Sequence, residues 1–512
     1  MTVLLERDDA LQKLNDALST VTHTGGRLIL VHGEAGIGKS ALVHQFLQQL
    51  RPGVRQAMGH CDELFSPTPL APLYDIVPQI DESLRAHLVD LAAAHQLFTA
   101  LLATLQKPTV LVFEDVHWAD KATLDLLKYL GRRVQNTRAI IIVTYRDDEL
   151  EARHPLRLLV GDLSSSAGTL HLHLQPLSLA AVTQLSGNKR VDTDALFEAT
   201  GGNPFFVTEV LASGSALVPE TVRDAILARL ARLTLSGRAA LDAAAIIGTR
   251  VEPWLLQDVT AAEAGHIDES MDVGFLIARE HELEFRHELV RQVVLTELAP
   301  HRALFLHRAV LEGLKRRGLA ERYLARLVNH AVAAAEAEDV VVYGQQAAEM
   351  ARLGGMYGDA GKLYEAVLQH MPPADSEERL ELMLRLAISR QTLDRFDRIL
   401  TILKDALAMA QRLKLPDWQG FFKAQMAFFL AMSGAVDEAE ASVEQAAELL
   451  ADSRDYRSLA ELNQTLGTIY QLRGRVTDAI TVLQKALEYS YHLERPEWVI
   501  TARQRLALVS LD

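Results

Sequence analysis

Three short apolar runs punctuate a chain that is otherwise mostly amphipathic. Residues 27–32 (RLILVH), 109–113 (TVLVF) and 139–143 (AIIIV) are continuous apolar segments of strand length, a pattern that predicts strands covered on both faces. Elsewhere the spacing is helical. Leu11, Leu14, Ala17 and Leu18 share one face over residues 8–21, and helices are expected over 41–50 and 82–106. Between them, residues 52–78 carry Pro67, Pro69, Pro72 and Pro78, and read as an irregular segment or a series of short turns. Short helices are expected over 176–200, then over 220–233, 237–247 and 252–258. A patterned segment through Phe275–Ile277 leads into residues 283–298.

From about residue 300 the chain is helix after helix, and it repeats. Gly354, Asp394, Gly434 and Gly474 are spaced by forty, and so are Ala366, Ala406, Ala446 and Ala486. A small residue lets two helices turn tightly, and an alanine lets them approach closely. The unit at 461–489 resembles a tetratricopeptide repeat with a longer linker. Such units stack into a curved solenoid with a concave binding face. In the last helix, Leu506, Leu508, Val509 and Leu511 form an apolar face. A solenoid end needs a cap, so further chain, a partner or a second copy is expected to cover it.

The chemistry begins at Gly33–Ser40, GEAGIGKS, which fits G-x-x-x-x-G-K-[ST] between an apolar run and an amphipathic helix, the setting a phosphate-binding P-loop requires. Gly33, Gly36 and Gly38 allow backbone N–H groups to turn inward around phosphate oxygens, with Glu34, Ala35 and Ile37 supplying further backbone. The following helix adds its positive end. Lys39 can reach the β- and γ-phosphates, and the Ser40 hydroxyl can join a Mg²⁺ shell. The second run ends in Glu114-Asp115. Carboxylates at the end of a strand beside a P-loop strand suit a Walker B role, one holding the Mg²⁺ hydration shell and the other orienting or deprotonating water. Their order leaves open which acid serves the metal. The third run leads to Arg146, on the side where open α/β sheets bind ligands. Its guanidinium can contact a γ-phosphate. The competing reading is a surface ion pair with Asp147, Asp148 or Glu149.

Charge and length narrow the class. At 512 residues the chain is too long for one core, and its net charge of −15 argues against broad affinity for nucleic acid or anionic membranes. One cysteine, Cys61, excludes an internal disulfide framework and suits a reducing cytoplasm. The N-terminus lacks a basic-then-apolar signal, and no run approaches the roughly eighteen apolar residues of a membrane span.

VFEDVHWADKATLDLLKYL, TYRDDE, GGNPFFVTEVL and FRHELVRQVV follow the P-loop in that order. Together they resemble the STAND ATPases, and within them the large ATP-binding LuxR-type (maltose-activator-like) transcriptional regulators with an AAA-like ATPase module. The resemblance covers roughly residues 1–310. It implies that Pro204 touches the adenine and that His287 touches the β-phosphate of bound ADP in a closed form. The early Gly-Arg-Glu-like element appears as Leu5-Glu6-Arg7, without its glycine, and places Arg7 on the adenine side. Read from its residues alone, His287 lies on a helix near Phe285 and Leu289, where a core or surface role is common; as a histidine it is a charge-sensitive donor near neutral pH.

The expected architecture is therefore multidomain. It comprises an α/β P-loop NTPase domain (1–170), a small helical domain (171–218), a winged-helix-like domain (219–300) and an all-α tetratricopeptide-like solenoid (301–512). The expected function is a cytoplasmic ATP/ADP switch with slow hydrolysis, using ATP or ADP and Mg²⁺. It self-associates when ATP-bound and takes an inducer, small molecule or protein, on the repeats. Direct DNA binding is not expected from these residues; a regulator of the type resembled carries a helix-turn-helix domain beyond the repeats. The alternatives are a turnover ATPase that remodels a protein held by the repeats, and a scaffold stabilised by nucleotide.

Overall fold

The structure is a computed structural model that describes residues 4–89, 94–151, 154–164, 166, 168–187, 189, 191–213, 222–260, 264–279, 282–317, 320–391, 396–493 and 495–509. Its chain divides into two compact units, Met1–Met356 and Tyr357–Asp512.

The first unit is built on five parallel strands: β1 (Arg27–His32), β2 (Arg55–His60), β3 (Thr109–Glu114), β4 (Ala139–Tyr145) and β5 (Thr169–His173), in the order β2-β3-β4-β1-β5. The three apolar runs are the three inner strands. Strand alternation sends Leu28, Leu30, Leu111, Phe113, Ile141 and Val143 to one core. Ile29, Val31, Val110, Val112, Ile140 and Ile142 go to the other, where Leu11, Leu14, Leu42, Val43 and Phe46 cover them. The edge strands β2 and β5, RQAMGH and TLHLH, were not expected. An edge strand keeps polar residues on its open side, so neither shows an apolar run. With β2 and the helix Ala71–Ile80, the 52–78 segment is more regular than its prolines predict; Pro72 sits in that helix's first turn, where no amide hydrogen is needed. The single helix expected over 82–106 is a 3₁₀ turn, Glu82–Leu84, and two helices, Arg85–Val89 and Ala94–Thr104.

Helices Leu179–Ser186, Thr193–Thr200 and Pro204–Ser213 share a small core of Leu177, Val182, Leu196 and Val207. Beyond them, a three-stranded antiparallel sheet, β6 (Arg250–Val251), β7 (Leu276–Arg279) and β8 (Glu282–Phe285), takes the order β6-β8-β7. It packs with helices Leu235–Ile247, Pro253–Thr260 and Glu288–Glu297 around Leu241, Val251, Leu255, Phe275 and Val294.

The second unit is all helix, a tetratricopeptide-like series of hairpins. Helices Pro416–Met432, Tyr456–Leu472 and Pro496–Val509 begin forty residues apart. Ala406, Ala446 and Ala486 are fully buried between helices. Gly434 (φ 92°) and Gly474 (φ 74°) make left-handed turns that a Cβ would strain, whereas at the first position the left-handed residue is Gly355 (φ 73°), one beyond Gly354. Asp394 lies outside the described residues. In the closing helix Val509 is buried and Leu506 packs on Ala479 and Leu483, while Leu508 stays exposed. The preceding hairpin thus covers part of the face expected to be bare; Leu511 is outside the described residues. Among the described residues, no helix is long and apolar enough to cross a membrane.

Candidate nucleotide site

The order β3-β4-β1 brings three strand ends together: Glu114-Asp115, Arg146 and the P-loop. In the loop, Gly33, Gly36 and Gly38 have φ of 145°, 77° and 98°, all positive. Gly36 and Gly38 serve different ends. A Cβ at Gly36 would stand 2.7 Å from Phe205 Cβ, whereas one at Gly38 would meet nothing within 4 Å. Gly36 therefore admits a neighbouring segment, and Gly38 sets the backbone at the start of helix Lys39–Gln48 while its front stays open. Lys39 is buried, and its ammonium donates to the carbonyls of Gly33 (2.8 Å) and Glu34 (2.9 Å). Burial lowers its pKa to about 8, with the Asp115 carboxylate acting against that shift. An open left-handed loop, a helix N-terminus and a buried cation hydrogen-bonded to carbonyls fit a phosphate chain.

Glu114 and Asp115 are not equivalent. Glu114 ends β3 as a buried side chain whose Oε2 lies 3.4 Å from His60 Nε2, at the end of β2. Burial would raise its pKa, but His60 and the Ser40 hydroxyl hold it below the usual carboxylate value. Among the described residues its buried Oε1 has no hydrogen-bond partner, which fits an acceptor for a water or a hydrated cation. Asp115 is pushed upward, first by burial and then by Glu114. It takes a left-handed backbone (φ 53°), held by Thr144, whose Oγ1 accepts its N–H at 2.9 Å. The charges opposing its upward shift are His117, Arg146 and Lys39, so the two acids face different partners.

His60 anchors a chain of charges that sequence reading did not reveal. Its Nδ1 is 3.8 Å from Asp75, and Asp75 in turn accepts Arg250 Nη2 of β6 at 2.9 Å. Burial favours neutral His60, yet Asp75 and Glu114 outweigh it and raise the pKa to about 9, so the ring is charged at neutral pH. No motif marks these residues; each is an ordinary polar residue until the fold assembles them.

Arg146 is buried at the end of β4, where its guanidinium pairs with Glu149 and lies 4.9 Å from the Trp118 ring centre. Of the three acids offered as ion-pair partners, Glu149 is the one it meets, and Asp147 instead contacts His32. Its charge also acts on Lys39 and on Glu288, at the start of helix Glu288–Glu297.

The back of the loop is fastened from two directions. The Arg7 guanidinium is buried and donates to the carbonyls of Ile37 (3.0 Å) and Gln175 (2.8 Å). Glu6, ahead of it, adopts φ 55° and is tied to Ser178 through both its oxygens. On the other side Asn203 Nδ2 donates to Ala35 O (2.9 Å) and Phe205 N to Gly36 O (3.3 Å). Pro204 starts its helix, and the hydrogen bonds to the loop come from Asn203 and Phe205 on either side of it. The Phe205 ring then packs on His287, with ring centres 4.4 Å apart. His287 is not on a helix; it is the extended residue (φ −145°) immediately before one. Burial, then Arg286 and Arg229, lower its pKa to about 3, so it is a neutral group at physiological pH rather than a charge-sensitive one.

Residues 3–143 match the family model described as AAA ATPase domain. The chain carries an AAA-type ATPase domain. A domain of this family implies nucleotide, and typically Mg²⁺, use. An uncharacterized protein of Rhizobium meliloti (strain 1021) is 24% identical over 75% of this chain, which spans 44% of that protein. Among solved structures, a STAND protein with a tetratricopeptide repeat sensor from Pyrococcus horikoshii matches all of this chain and 74% of its own, at 14% identity and a TM-score of 0.49. A Walker-type ATPase of Pyrococcus abyssi matches 57% of this chain and 96% of its own, at 14% identity and a TM-score of 0.30.

Proposed function

We propose that the protein is an ATP/ADP-controlled switch, with the segment 203–205 and the β6–β8 module, read as a winged helix, clasping the nucleotide site in the ADP form. The observation that carries this reading is the unbroken path from Gly36 through Phe205 to His287. Any movement of the phosphate loop is felt by that ring, and through it by the module beyond. The chain Glu114–His60–Asp75–Arg250 makes a second link between the same two parts.

In this reading Lys39 and the backbone of Gly33–Ser40 hold the phosphates, and Arg7 keeps the loop in shape from behind. Ser40 and Glu114 share the Mg²⁺ side. Asp115, facing Lys39 and Arg146, orients water at the terminal phosphate. Mg²⁺, when bound, offsets phosphate charge. Pro204 and His287 close over the nucleotide, and Arg146 exchanges its Glu149 partner for a phosphate oxygen.

Magnitude limits what one contact does. Shifting a population from 1:99 to 99:1 needs about 5.5 kcal/mol of differential affinity. A neutral hydrogen bond from His287 supplies about 1 kcal/mol. The phosphate contacts, the His60 chain and a ligand on the repeats must supply the rest. That ligand would bind on the repeats, whose helices are braced internally by the Arg457 guanidinium, 3.9 Å from the centre of the buried Trp418 ring and paired with Glu381 at 2.9 Å. Opening then permits self-association, with transcription as the output.

Steady-state hydrolysis together with the identity of any co-purified nucleotide tests this reading. Slow turnover with tightly held ADP, and faster ADP release in Phe205→Ala, are expected. Rapid continuous turnover with no retained ADP would replace the switch with a remodelling ATPase.

A further inference from the structure

A second group of side chains gathers at the C-terminal ends of β1, β4 and β5, outside the phosphate loop. His32 and His173 are register partners across the β1–β5 pair, so strand pairing alone brings their imidazoles together, with ring centres 4.8 Å apart. Asp147 follows β4 by two residues. Both its oxygens lie 3.0 Å from His32 Nδ1, and Oδ2 is 3.7 Å from His173 Nε2. One donor atom from each of the three residues falls within 4.8 Å of the others. Donors set tetrahedrally around a metal, with bonds of about 2.0–2.1 Å, stand about 3.3 Å apart, a spacing that the two observed distances bracket.

The rings are nearly parallel, at 3°, so their lone pairs do not yet converge on one point. His173 has room to turn, since its side chain is 54% exposed, and its Nε2 is already the nitrogen nearer Asp147. Its Nδ1 stands 2.8 Å from the Gln175 amide nitrogen. Turned about its amide, Gln175 presents an oxygen that accepts an Nδ1 proton, which fixes the tautomer whose Nε2 can coordinate.

We propose that His32, Asp147 and His173 form a binding site for a divalent transition-metal ion of the Zn²⁺ class, distinct from the Mg²⁺ site at Ser40 and Glu114. Two imidazoles and one carboxylate suit Zn²⁺ or its neighbours; Mg²⁺ and Ca²⁺ favour all-oxygen shells. Three protein ligands leave a fourth position for water. His32 immediately precedes Gly33, and Asp147 immediately follows Arg146, so a bound ion ties the strand end carrying the phosphate loop to the one carrying the arginine.

The test uses the untagged full chain, stripped of metal, titrated with Zn²⁺ by calorimetry and with Co²⁺ by its visible absorption. One ion per chain at micromolar affinity or tighter is expected. His173→Ala and Asp147→Asn should each weaken it at least ~10-fold, while ADP binding by the His173→Ala protein persists. His173→Gln serves as a second variant if the alanine form folds poorly. No saturable one-to-one binding, or binding unchanged in these variants, overturns the proposal.

Discussion

Before Met356 the candidate site residues occur once each: Glu114, Arg146 and His60 at the ends of three strands and Lys39 at the start of a helix. After it, helices that begin at Pro416, Tyr456 and Pro496 present similar residues every forty positions. In the reading proposed above, a single substitution in the first unit removes a role that no other described residue duplicates. In the second, a substitution disturbs one hairpin of several, and stability there is close to a sum over neighbours. The contrast predicts that the largest single-residue effects on nucleotide binding fall in the first unit, and that those in the second are local to one hairpin.

Lys39→Ala breaks the comparison most sharply. Loss of charge-assisted bonds worth about 3 kcal/mol in total predicts a fall in ATP affinity of at least ~100-fold by calorimetry. The melting temperature should hold or rise, because burying that ammonium is itself unfavourable. ATP binding that survives the change removes the phosphate-loop assignment.

His60→Ala comes next. The folded protein raises the His60 pKa from 6.5 to about 9. Its contribution to stability is therefore fully present below pH 6.5 and is lost as pH rises through about 9. The contribution is on the order of 3 kcal/mol. Denaturant titrations of wild type should show stability falling across that window, and the alanine variant should be flatter there and weaker at neutral pH. Equal slopes for both proteins would remove the Glu114–His60–Asp75 chain from the account.

A smaller effect is expected from Gly420→Val. A Cβ at Gly420 would lie 2.5 Å from Leu450, and overpacking of this kind costs roughly 1–3 kcal/mol. Thermal unfolding should show the loss, with ATP affinity unchanged because the residues proposed to hold the nucleotide all precede Met356. A loss of ATP affinity would show that the units are not separable in this sense.

What the sequence discloses follows the same division. The strand–loop–helix setting of Gly33–Ser40 was legible because it is local: eight consecutive residues with a strand before and a helix after. The inner strands were legible because burial on both faces forces unbroken apolar runs, as at Val110–Phe113. β2 and β5 were not, since an edge strand shows no such run. Pro204 stood out as a helix starter, yet Asn203 and Phe205 make the hydrogen bonds to the loop, and a contact across more than 160 residues leaves no local trace. His287 was read as charge-sensitive because its burial, the main cause of its low pKa, comes from the fold; the neighbouring Arg286 and then Arg229 add to that shift. In the repeats the period gave the hairpins, while the one-residue offset at Gly355 is a matter of backbone geometry.

The central claim is that the nucleotide governs assembly through the Gly36–Phe205–His287 path. Its most direct test is the light-scattering mass of the full chain with ADP and with ATP, for wild type and His287→Ala. The account predicts a single copy with ADP, and a greater assembled fraction with ATP in His287→Ala than in wild type when no inducer is present. The same mass in all four samples would contradict it.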